Sequence, residues 1–112
     1  MSLDIWLHIH VDTGSPEPYE VTLYDANITH NVAPMWGLAN VYDALYESEG
    51  EMAGNIIETL DAGLRDMKVR PEQYLALNPS NGWGSYSGAL RWLGDLLDAC
   101  KRHPKAHIHI SA

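Results

Sequence analysis

Leu3 to Val11 reads LDIWLHIHV. Leu3, Ile5, Leu7, Ile9 and Val11 fall at every second position, with Asp4, Trp6, His8 and His10 between them. A period of two places the apolar set on one face of an extended chain and the polar set on the other, which is the pattern of a half-buried β-strand. The next stretch, Asp12 to Pro18 (DTGSPEP), is dense in turn formers and in prolines that cannot donate to a ladder, so it reads as a surface loop. Tyr19 to Thr29 then supplies a second strand rich in Val, Thr, Tyr and Ile. So short a connection favours an antiparallel hairpin.

Beyond the hairpin the period changes. Pro34 suits the first turn of a helix, and Leu38, Val41, Tyr42 and Leu45 follow at helical spacing, which predicts one helix over 34–47. After Gly50, a second stripe of Ile56, Ile57, Leu60, Leu64 and Met67 predicts another over 51–68, with acids early and Arg65 and Lys68 late. Pro71 opens a turn or two of helix. Ser85 or Ser87 can cap a further helix to about Arg102, with Leu90, Leu93, Leu97 and Cys100 as its buried stripe. Ala106 to Ser111 alternates again and reads as a third strand, best placed beside the first because both need the same helical layer. The expected fold is a small α+β domain spanning residues 1–112, with an antiparallel sheet of about three strands in the order ββααα β and its helices on one face.

Composition narrows the function. The chain of 112 residues is 46% hydrophobic and 20% charged, within the range of a single domain with one core. It has no apolar run long enough to span a membrane and no secretory leader, so the expected location is the cytoplasm. Cys100, the single cysteine, lies on a helical stripe and is expected to be a buried structural thiol. The formal net charge is −8, and residues 1–64 carry eleven acids with no Lys or Arg. A phosphate backbone needs clustered cations, so the acidic first half argues against duplex nucleic acid as a broad-surface partner. A basic protein partner fits better, while the bland alternative is an acidic surface that serves solubility.

Three groups of residues bear on chemistry. The triplets His8-Ile9-His10 and His107-Ile108-His109 each place two imidazoles on the face opposite the apolar set. Adjacent strands would gather His8, His10, His107 and His109 into a candidate zinc or nickel site, or leave them as solvated side chains on an open face. His30 and Asn31 stand in the polar turn NITHN (Asn27 to Asn31), where they can contact a ligand or hold the turn. The third group is the stretch Asn78 to Tyr86, NPSNGWGSY. There Gly82 and Gly84 permit close backbone approach, Asn78, Ser80, Asn81 and Ser85 offer neutral hydrogen-bonding groups, and Trp83 and Tyr86 offer flat faces. A helix N-terminus follows directly and favours an anion. The stretch lacks the Gly-Lys-Ser/Thr ending of a P-loop and could equally be a tight turn with no ligand.

If the two polar turns meet in space, Trp36 and Trp83 rim a pocket holding His30, Asn31, Asn78 and Asn81. The chain has no H-E-x-x-H pattern and no nucleophile elbow, so hydrolase chemistry lacks its usual parts. The leading expectation is therefore a non-enzymatic binding domain for a small polar or anionic ligand, with nucleotide-like molecules among the candidates. The alternatives are an acidic interaction module and a metal-dependent hydrolase. An exposed sheet edge in so small a domain also suits a homodimer.

At these two turns the chain resembles a family of small proteins encoded largely by bacteriophages and actinobacterial prophages. The family is marked by a THNxxxMW-like segment, here Thr29 to Trp36, and an NPxNGWGxYxG-like segment, here Asn78 to Gly88. The resemblance runs from about Asn27 to Ser111 and implies a phage-type accessory protein, without a defined activity. The two His-Ile-His triplets are not part of the family pattern.

Overall fold

The computed structural model describes residues 1–112. The first strand, β1 (Ser2–Val11), is the centre of a three-stranded antiparallel sheet of order β2-β1-β3, with β2 at Tyr19–Thr29 and β3 at His107–Ser111. Leu3, Ile5 and Leu7 are fully buried under the helices, as their alternation requires. The fold is α+β, and β3 takes the place beside β1 that its apolar pattern calls for. No helix is long and apolar enough to cross a membrane.

The hairpin carries one irregularity. Leu7 pairs with Tyr24 and His8 with Thr22, which leaves Leu23 as an extra residue in β2. This bulge lets both Leu23 and Tyr24 sit partly buried against the core while Thr22 and Glu20 keep to the outer face with His8 and His10.

The helices depart from the sequence reading in two places. Residues 34–47 do not form one helix but two, α1 (Ala33–Leu38) and α2 (Tyr42–Tyr46). Between them Asn40 adopts a left-handed conformation with φ +61, and Leu38 and Tyr42 become exposed while Met35, Trp36, Val41 and Leu45 are buried. Asparagine accepts this backbone better than most residues. The turn docks on α3 (Ile57–Val69) at Gly63, whose missing side chain makes room for Val41 and the Ala39 carbonyl.

Residues 51–56 are likewise not the start of that helix. Gly50 N donates to the Ile108 carbonyl at 2.8 Å and Ile108 N donates to the Glu51 carbonyl at 2.8 Å, so the chain runs along the outer edge of β3. A 3₁₀ turn at Ala53–Ile56 then leads into α3. A short helix, α4 (Pro71–Leu75), and the long α5 (Tyr86–Arg102) complete the layer. In α5, Ser85 caps the first turn by accepting from Gly88 N at 3.1 Å, and Leu93, Leu96, Leu97 and Cys100 are buried. Burial pushes the Cys100 thiol up to about 11, which keeps it protonated and unreactive at neutral pH.

Candidate functional site

The two polar turns do meet. Thr29 ends β2 and its hydroxyl accepts from Asn31 N at 3.2 Å, opening a 3₁₀ turn over His30–Val32. Gly84, with φ +98, lies against that turn: a Cβ there would stand 2.8 Å from Thr29 Cγ2 and 2.9 Å from Val32 Cγ1. A shallow groove of about 500 Å³ opens where they join, lined by Met1, Ser2, Asn27, Thr29, Asn31 and Trp83. Trp83 is 71% exposed, so a large aromatic face borders the groove without a protein partner.

The other residues expected there have different places. His30 faces α2, where its Nδ1 shares a 2.7 Å hydrogen bond with the Tyr46 hydroxyl and the two rings stack at 5.6 Å. Burial, with Tyr42 nearby, raises the Tyr46 pKa above its ordinary value. Trp36 is no rim residue: it is fully buried, 5.7 Å from the Trp92 ring, because the α1–α2 break turns it into the core. Asn78 and Asn81 hold the loop itself, Asn78 accepting from Tyr86 N at 2.8 Å and Asn81 from Trp83 N at 3.0 Å. Gly82 has φ +77 and open space around it, so its role is the turn's backbone conformation. Ser85 is occupied in capping α5. Tyr86 points inward, its hydroxyl donating to the Met67 carbonyl at 2.5 Å.

A second concavity, of about 390 Å³, lies on the outer face of the sheet and brings together all four histidines of the two triplets with Glu20 and Glu49. His8 stands directly opposite His107 on the neighbouring strand. The ring of His8 stacks on His109 at 5.9 Å, and His10 lies 5.9 Å from His107. Two carboxylates bracket the group. Glu20 reaches His8 Nδ1 at 2.9 Å with one oxygen and His10 Nε2 at 3.4 Å with the other. Glu49 contacts His109 Nδ1 at 3.1 Å and accepts from Ile110 N at 2.8 Å. That backbone donor, followed by His109, holds the Glu49 carboxyl below its ordinary range. As the side chains stand, no three of these groups converge on one point to hold a metal ion.

Sequence reasoning gathered the imidazoles but missed both carboxylates. Glu20 was within reach of it, since pairing the strands across the DTGSPEP loop sets Glu20 opposite His10. Glu49 was not, because it falls in the short link between two expected helices and its partners, His109 and Ile110, lie far away in sequence. No family model, curated protein or solved structure matches the chain.

Proposed function

We propose that this is a phage-type accessory protein that acts by recognition, binding a small polar ligand with a planar ring in the groove between the Thr29–Asn31 and Asn78–Ser85 turns. The observation that carries this reading is Trp83, an exposed indole bordering a groove of neutral hydrogen-bonding groups. An aromatic face and nearby amide and hydroxyl groups suit stacking on a base-like ring with polar contacts at its edge. The groove's hydroxyls, Ser2 and Thr29, are not joined there by any His, Cys, Asp, Glu or Lys side chain, and His30 is turned toward Tyr46. This favours binding over catalysis. Asn27, whose amide donates to Ser2 Oγ at 3.0 Å and Asp4 Oδ1 at 2.8 Å, fixes one wall.

Calorimetric titration with mononucleotides, dinucleotides and ADP-ribose derivatives tests the reading. Saturable binding of one member, lost in Trp83→Ala and weakened in Asn31→Ala, is the expected result. No binding by any member, or binding indifferent to both substitutions, overturns it.

A further inference from the structure

We propose that the histidine cleft on the outer face of the sheet binds a divalent transition-metal ion of the zinc or nickel type, with His8, His10 and Glu20 as its protein ligands. His8 and His10 occupy alternate positions of β1 and so project from the same face, about 6.6 Å apart along the strand. Glu20 stands opposite His10 and already places one oxygen 2.9 Å from His8 Nδ1 and the other 3.4 Å from His10 Nε2. Metal–nitrogen and metal–oxygen bonds of about 2.0–2.2 Å in tetrahedral array put donor atoms about 3.3 Å from one another. The carboxylate–imidazole separations bracket that value. Glu20 now spans the two imidazoles, and metal binding requires the three side chains to turn so that their donors face one point.

The surroundings favour a cation. No Lys or Arg lines the cleft, while Glu20 and Glu49 contribute two carboxylates to it. His109, held by Glu49, stacks on His8 and supports its ring from the β3 side. Two imidazoles and one carboxylate suit zinc, nickel or another first-row divalent ion rather than calcium or magnesium, which prefer all-oxygen sites. The remaining coordination positions face the open cleft. The site lies apart from the Trp83 groove and stands or falls independently of ligand binding there.

Untagged protein, stripped with chelator and exchanged into chelator-free buffer, should take up one Zn²⁺ or Ni²⁺ per chain in a saturable calorimetric titration. His8→Gln, His10→Gln and Glu20→Gln should each weaken binding by about tenfold or more, with far-UV circular dichroism unchanged. His103→Gln, away from the cleft, should leave binding intact. Affinity should fall as the solution is acidified, because protons compete for the imidazoles. Absence of saturable binding by either ion overturns the proposal, and so does equal affinity in the His8→Gln, His10→Gln double variant. Binding lost in His107→Gln, His109→Gln but kept in His8→Gln refutes the ligand assignment.

Discussion

Gly63 of α3 lies directly beneath Val41: a Cβ on Gly63 would stand 2.3 Å from Val41 Cγ1 and 3.0 Å from the Ala39 carbonyl oxygen. Glycine inside a helix ordinarily costs about 1 kcal/mol relative to alanine. Here the overlap reverses the sign, since both Val41 and Ala39 are buried and cannot give way. Gly63→Ala should therefore destabilise the protein by about 1–3 kcal/mol. Gly94→Ala on α5, where the nearest atom is Leu64 Cδ2 at 4.0 Å, should stabilise it by up to about 1 kcal/mol. Urea denaturation of the two variants checks the contrast.

The junction of the two turns makes a similar test. Gly82 and Gly84 both have positive φ, but only Gly84 touches the opposite turn. Gly82→Ala should cost about 1–2 kcal/mol from backbone strain alone. Gly84→Ala adds a clash with Thr29 and Val32 and should cost clearly more. Equal losses in thermal or chemical denaturation would mean that the turns do not bear on each other.

Acid should weaken the fold through two carboxylates. The backbone N–H of Ile110 lowers the Glu49 pKa, and the guanidinium of Arg70, ahead of the Tyr74 hydroxyl, lowers that of Asp66. A depressed folded-state pKa contributes stability that is complete above the unfolded carboxylate value and disappears as pH falls through the folded one. Thermal midpoints should accordingly drop below about pH 4. Glu49→Gln keeps an acceptor for Ile110 and does not titrate, so its midpoint should fall less between neutral and acid pH than that of the parent.

At the alkaline end the sign follows from the tyrosines. Burial raises the pKa of Tyr24, Tyr46 and Tyr74, and the Asp66 carboxylate raises Tyr74 further. Groups that hold their protons more tightly when folded lose their stabilising contribution as pH climbs above about 10, the unfolded tyrosine value. Tyrosinate absorbance should show part of the six tyrosines titrating late, together with unfolding. Titration of all six at the ordinary value with the fold intact would contradict this.

The strands and α5 were legible because the information they need is local. Alternation in Leu3–Val11 assigns each side chain to a face without reference to the rest of the chain, and the serines at 85 and 87 mark the start of α5 to within a turn, the structure giving the cap to Ser85. The break at Asn40 was not legible. Leu38, Val41, Tyr42 and Leu45 keep helical spacing, and only the fit of Val41 onto Gly63, a distant residue, explains why the helix stops. The path of residues 48–52 was hidden for the same reason: its hydrogen bonds go to β3, near the other end of the sequence. Of the expected groove, Asn31 and Trp83 stand in place, whereas Trp36 was misplaced by the same break. Aromatic residues beside polar turns look alike in sequence whether they cap a pocket or plug the core.

The strip from Gly50 to Ala53 along β3 also limits how copies of the chain can combine. It occupies the outer edge of β3 and then veers into a 3₁₀ turn, whereas β2 has no backbone partner on its far side. A sheet sealed on one margin can add a strand only at the other. Two copies joined β2 to β2 would use up the open edge of each, so growth by edge pairing terminates at a closed pair and cannot propagate into a fibre.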